Sequence, residues 1–276
     1  MPNASTFPII LAHGIARFDV LTNSLFQIDN NDDKDELHYF RNIRTFLESH
    51  GFDVHHTNVD WAGSLIKRAG ELKEQVDKIL QATGAAKLHI IGHSMGGLDA
   101  RRMLWDNRAE NFHHKVASVT TIGTPHHGSS FADFLSQGLR DDSEALGLGF
   151  DGVIDLRTNA MAAFNAEVSD WEQSSGVRFR AYAGKQRPIH VFAPLKLSWL
   201  IINGREGDND GFVSVASARW KDEYFVAPVL DADHLNEIGW WDISEAWQGV
   251  TPEQLETRIK KVYLGMARDL AEEFPT

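Results

Sequence analysis

Lys87-Leu88-His89-Ile90-Ile91-Gly92-His93-Ser94-Met95-Gly96-Gly97 decides how this chain is read. An apolar strand-forming run over 86–91 enters Gly92-His93-Ser94-Met95-Gly96, and 98–105 continues with a helical pattern. A G-x-S-x-G in that setting predicts a nucleophile elbow, a sharp strand-to-helix turn that exposes a serine hydroxyl. Gly92 and Gly96 are needed there because strand and helix crowd together and a Cβ at either position would collide. The bland alternative is a structural serine in a glycine turn, and it leaves the flanking strand and helix unexplained.

Around this motif the chain has 276 residues, enough to bury the core of one α/β domain. Hydrophobic residues at 42% and charged residues at 24% describe a globular protein of ordinary composition. A net charge of −12 argues against nucleic acid and against electrostatic attachment to anionic membranes. Apolar contact with a lipid droplet or micelle stays open. With no cysteine, the chain holds no disulfide, thiol nucleophile or thiolate metal site. Residues 1–6 lack the basic and apolar regions of a secretion signal, so the chain as it stands is expected in the cytoplasm. Secretion would require a leader already removed. No run is long and apolar enough to be expected to span a membrane.

Strand-like runs recur at 7–12, 52–59, 87–92, 116–123, 177–184 and 223–229, with helical patterns between them. In the clearest helix, Leu65, Ala69, Leu72, Val76, Ile79 and Leu80 share a stripe opposite Lys67, Glu71, Glu74, Asp77 and Lys78, and Gly84 ends it. This alternation predicts an α/β fold, a mostly parallel sheet with helices on both faces, formed by one domain over 1–276. Two stretches interrupt it. Residues 29–36, DNNDDKDE, suggest calcium but fail the EF-hand pattern, since Lys34 stands where Gly is needed and Phe40 where the bidentate Glu belongs. They are expected to form a solvated loop. The insertion at 129–176 adds glycine-punctuated helical segments beyond the carboxyl edge of the sheet, where they would lie over Ser94 as a lid.

Serine is a poor nucleophile until a base takes its proton and an acid orients that base. The order that goes with this elbow is Ser, then Asp or Glu, then His. His113, His114, His126, His127 and His190 all precede the best acid candidate, which leaves His234 as the base. Asp210, in a tight turn before a short helical stretch, is the preferred acid; Asp208 is its rival, and Asp231 and Asp233 lie too close to His234 in sequence. The bland readings are an Asx turn for Asp210 and a surface imidazole for His234. The oxyanion needs two preorganised N–H donors. Met95, after the nucleophile, supplies one, and Ile15, in His13-Gly14-Ile15 after the first strand, supplies the other. His93 is assigned packing or hydrogen bonding and no catalytic duty. Histidine pairs at 55–56, 113–114 and 126–127 point to opposite faces if they lie in strands and match no zinc spacing, so no metal is expected.

With these residues placed, the chain resembles the secreted bacterial triacylglycerol lipases of the Pseudomonas and Burkholderia type, within the α/β-hydrolase superfamily. The resemblance runs from Pro8 to about Gly239 through PIILAHGI (8–15), HIIGHSMGGL (89–98), SVTTIGTPHHGSSFADF (118–134), NDGFVSVA (209–216) and HLNEI (234–238). It implies an enzyme acting on lipid esters, with Ser94, Asp210 and His234 as its triad and the Ile15 and Met95 amides as its oxyanion hole. It also implies a structural calcium held partly by an Asp two residues after the catalytic His. Here that residue is Asn236, and the segment before Asp210 shows no second Asp ligand, so no cofactor is expected. The family's disulfide is impossible in this chain, and its lid region is shorter.

The expected function is therefore serine carboxylic-ester hydrolysis, foremost of triacylglycerols, with lipid or other ester substrates and contact with a lipid–water interface. The alternatives are a carboxylesterase or polyester depolymerase using the same triad, and a non-catalytic ligand receptor on the same fold. Phe131, Phe134, Leu135, Leu139, Leu146, Leu148 and Phe150 of the insertion either bind an acyl chain and face lipid or pack onto the core. Trp240 and Trp241 are expected to be structural.

Overall fold

The computed structural model describes residues 7–15, 35–138, 151–241 and 251–275. Five strands form a parallel sheet in the order β2-β1-β3-β4-β5: β1 (Ile9–Ala12), β2 (Val54–His56), β3 (Leu88–His93), β4 (Val116–Ile122) and β5 (Arg178–Tyr182). Between them run α1 (Ile43–Glu48), α2 (Leu65–Thr83), α3 (Met95–Asp106), α4 (Ser130–Gly138), α5 (Asp151–Asp155) and α6 (Thr158–Ser174). A two-stranded parallel pair, β6 (Gly184–Lys185) and β7 (Leu230–Asp231), continues beyond β5. α7 (Lys196–Glu206), α8 (Val215–Ala218) and α9 (Pro252–Glu273) complete the order.

Strand alternation divides the core in two. Ile9 and Leu11 of β1 face α1 and α9, where they join Ile43, Leu47, Tyr263 and Ala267. Ile10 and Ala12 face the other layer, with Leu72 and Val76 of α2 and Met103 and Leu104 of α3. Parallel strands covered on both faces are buried along their whole length, as β1 and β3 are; β1 is apolar throughout, while β3 also takes His89 and His93 inside. α2 begins where the Ser64 side chain accepts the Lys67 N–H and ends at Gly84, in the left-handed region at φ 69°. Its stripe also buries Arg68, a residue the apolar pattern did not mark.

Two expectations change. The run at 223–229 is not a strand of its own: it touches β5 through one bridge, Ala181 to Phe225, and Pro228 has no N–H to extend a ladder. The final strand is β7 instead. Asp35 is not solvated. It is buried, accepts the Thr45 N–H and hydroxyl, and lies 2.8 Å from His56 Nε2. Burial opposes its ionisation, but those hydrogen bonds outweigh it and hold the carboxyl below its usual range. The remainder of the acidic stretch, 29–34, lies outside the described residues. So do 139–150 of the insertion, including Leu139, Leu146, Leu148 and Phe150. Of its flanks, α6 packs Met161, Phe164 and Val168 against Met95 and Leu98, and Asp155 at the end of α5 accepts the Leu65 N–H.

Besides His234, five histidines among the described residues, His13, His38, His89, His93 and His126, are buried. Desolvation lowers each below the ordinary value, aided by Arg68 at His13, His56 at His38, Arg180 at His89, His234 at His93 and Arg101 at His126. His13 falls to about 3 and His89 to about 4. The unfolded chain takes up protons below pH ~6.5 and the folded chain does not, so stability is present above that pH and lost as pH falls. Each such histidine costs about 1.4 kcal/mol per pH unit in that window. Urea midpoints are expected to drop steeply between pH 7 and pH 5; a flat profile would refute the neutral, buried state of these rings.

Candidate active site

The carboxyl ends of β1 and β3 are neighbours, with Ala12 paired to Gly92, so His13-Gly14-Ile15 and Ser94 emerge side by side. Ser94 has φ 53° and ψ −130°, and α3 starts at the next residue. A non-glycine residue there is strained by roughly 1–3 kcal/mol and persists only when its surroundings over-determine it. They do: the Ser94 N–H donates to Ile122 O at 3.0 Å, and its carbonyl accepts the Thr124 hydroxyl at 2.8 Å. The glycines act as the elbow requires. A Cβ on Gly92 would come 2.6 Å from Gly97 N, and one on Gly96 would strike the Ala12 carbonyl. A Cβ on Gly14 would come 2.6 Å from the Ser94 Cβ. The backbone N–H groups of Ile15 and Met95 have no backbone acceptor among the described residues.

Asp210 and His234 meet directly. His234 Nδ1 lies 2.8 Å from Asp210 Oδ2, and the His234 N–H donates to the Asp210 carbonyl at 2.9 Å. The other carboxylate oxygen, Oδ1, accepts the N–H groups of Phe212 and Val213 at 2.7 Å each. Asp210 thus makes an Asx turn and orients the imidazole at once. Asp208 is exposed and paired with Lys185, and Asp231 is exposed and paired with Arg258. Asp233 is buried and accepts three N–H groups, from Phe192, Leu235 and Asn236. The ring of Phe212 stands 5.3 Å from that of His234 and packs on Phe131 of α4.

Sequence reasoning missed the polar layer beneath this pair. His93 Nδ1 is 2.7 Å from the Tyr39 hydroxyl, and His93 Nε2 is 3.1 Å from Glu237 Oε2, which is itself 3.7 Å from His234 Nδ1. Gly123 leaves the space that the Asp210 and Glu237 carboxyl groups fill. Glu237 follows His234 by three residues, and that spacing was the only signal available. Burial pushes its carboxyl well above the ordinary value, and the charges of Asp210 and Asp233 add to this. Trp240 is structural: it is buried and its indole N–H donates to Tyr39 O.

The donors do not suit calcium at the position the resemblance indicated. Asn236 Oδ1 accepts the Asp233 N–H and its amide donates to Trp240 O, while both Asp233 oxygens are spent on N–H groups. Calcium takes six to eight oxygens, about none of which are left free on these two side chains. His93, His234 and Glu237 bring possible ligand atoms within 4.8 Å of one another. A metal between the facing atoms, His93 Nε2, Glu237 Oε2 and His234 Nδ1, would displace the bonds just described from His93 to Glu237 and from His234 to Asp210.

A profile describing the α/β-hydrolase fold matches residues 8–147. Triacylglycerol lipase 2 of Saccharomyces cerevisiae is 29% identical over 309 residues, covering 96% of this chain and 91% of that protein. A triacylglycerol lipase of Burkholderia plantarii is 38% identical over 146 residues, 52% of this chain and 36% of that protein. Among solved structures, a metagenomic carboxyl esterase superposes with a TM-score of 0.73 at 18% identity, over 98% of this chain and 78% of that one. That last likeness concerns the fold.

The state of Glu237 has a measurable consequence. The unfolded chain ionises this carboxyl above pH ~4.3, whereas burial in the folded protein shifts its ionisation to higher pH. It therefore lowers stability progressively as pH rises above that value, by about 1.4 kcal/mol per pH unit. Glu237→Gln, which imitates the protonated form, is expected to match wild type near pH 4 and exceed it increasingly towards pH 8. Denaturant titrations across that range would show a constant difference between the two proteins if Glu237 were an ordinary charged carboxylate.

Proposed function

The chain belongs to the α/β-hydrolase family, and we propose that it is a lipase-type carboxylic-ester hydrolase working through Ser94, His234 and Asp210. The observation that carries this reading is the 2.8 Å bond from Asp210 to His234 Nδ1, in a chain whose elbow serine is held at φ 53°. With Nδ1 committed to Asp210, Nε2 is the nitrogen left to take the Ser94 proton. Ser94 Oγ attacks the ester carbonyl and His234 accepts its proton. The developing oxyanion takes hydrogen bonds from the Ile15 and Met95 N–H groups, which have no backbone acceptor among the described residues. His234 then protonates the departing alcohol, and water hydrolyses the acyl-enzyme by the reverse sequence.

Lipid esters are the substrate class favoured by the relatives' names and by the surface beside the site. Phe134 of α4, Ile154 of α5, and Leu197 and Leu200 of α7 are large apolar side chains left exposed. Residues 129–176 are read as a lid whose described flanks, α4 and α5, border the site; it brings apolar surface to a lipid–water interface. No helix among the described residues is long and apolar enough to cross a membrane.

Ser94→Ala is expected to abolish hydrolysis, by at least ~10³-fold in kcat, with the fold intact. Rates measured from butyrate esters to emulsified long-chain triglyceride are expected to peak on the emulsion. A peak on short soluble esters would place the protein among carboxylesterases, and activity surviving Ser94→Ala would overturn the triad.

A further inference from the structure

We propose that His13 is a positioning residue for the oxyanion hole: its neutral ring, protonated on Nδ1, holds the Gly14 carbonyl and thereby aims the Ile15 N–H. This rests on the reading of Ile15 as an oxyanion donor. The ring is fixed from three sides. It stacks on Trp61 with centroids 4.3 Å apart, the Val59 N–H donates to Nε2 at 3.1 Å, and Nδ1 lies 2.8 Å from the Gly14 carbonyl oxygen. A backbone N–H can only donate, so Nε2 must carry a lone pair. The ring proton is then on Nδ1, and the contact with Gly14 O is an Nδ1–H donation. Burial of the ring, which lowers His13 to about 3, agrees with a single ring proton.

The geometry of the peptide unit does the rest. The Gly14 carbonyl and the Ile15 N–H belong to one planar trans peptide and point in opposite directions. Holding the carbonyl towards His13 therefore turns the N–H away from it and prevents the peptide from flipping. The unit before it is clamped as well. Arg68 Nη2 donates to the His13 carbonyl at 2.8 Å, and Arg68 is held by both oxygens of Asp99 and by the Asp60 carbonyl. Two successive carbonyls of the loop are thus occupied, and the N–H that follows them has no backbone acceptor among the described residues. Gly14 lies against the Ser94 Cβ, so this peptide borders the nucleophile.

The substitutions that test this separate the two nitrogens of the ring. Asparagine reproduces a donor at the Nδ1 position; glutamine reaches the Nε2 position and gives up the Nδ1 donor. Turnover of a soluble p-nitrophenyl butyrate is measured per active site, with burst titration counting the competent molecules and Ser94→Ala as background. His13→Gln is expected to lose about ten- to hundredfold in kcat with KM changed by less than about threefold. His13→Asn is expected to stay within about fivefold of wild type. A residue that only supports the fold would lower the active fraction and leave kcat per site unchanged in both variants, which would overturn the proposal. Should His13→Gln not fold, nitrogen NMR of the wild-type ring decides: an Nδ1–H tautomer is expected, and an Nε2–H tautomer overturns it. Wild-type activity persisting in Ser94→Ala would instead refute the triad reading, and the NMR result would still report on His13.

Discussion

Everything at the carboxyl edge of the sheet depends on how closely β1 approaches the turn at Ser94. The Ala12 carbonyl sits where a side chain on Gly96 would be, and the Gly14 backbone sits against Ser94 itself. That contact leaves Ser94 no relaxed alternative to φ 53°, and the bonds to Ile122 and Thr124 close the remaining exits. The strain is local, whereas the restraint comes from a buried sheet packed on both faces. A looser interior would let the turn relax and withdraw the hydroxyl.

Beneath the edge lies a layer of polar side chains with almost no solvent. Tyr39, His93, Glu237 and His234 form one connected set, with Asp210 on its far side. In such surroundings the cheaper protonation states are the neutral ones, and the directions at His93 and Glu237 both follow that rule. Asp233 behaves alike. Burial lifts it to about 6 despite three N–H donors, and it tethers the loop that carries His234. Asn236 bridges that loop to Trp240, so the imidazole is supported by hydrogen bonds within the chain.

The sheet and the elbow were legible, and Ser94, Asp210, His234 and Ile15 could be nominated for the site, because each rests on a local signal. Short apolar runs, glycines at fixed spacing and an acid in a turn are all visible within a few neighbouring residues. Tyr39, Glu237 and Arg68 were not legible, since each acquires its meaning from partners distant in the chain. Arg68 looks like an exposed position on an amphipathic helix until Asp99 and the His13 carbonyl are found beside it. Asp35 misled for the same reason: its seven neighbours in an acidic run suggested water, while His56 and Thr45 draw that one residue inside. The run at 223–229 had strand composition, but its proline and a single bridge limit what it pairs with.

The parallel topology also sets when this protein becomes chemically competent. Each strand reaches its neighbour only after a helical crossover, and the groups of the proposed site come from residues 13–15, 94–95, 210 and 234. Closing such long loops is entropically slow, and no early, local substructure contains more than one of these pieces. A chain with most of its helices and half its sheet would carry Ser94 in a relaxed turn, far from an imidazole. On the proposed triad, hydrolytic power is therefore a property of the finished fold, and a nascent or partly unfolded copy would carry a harmless serine.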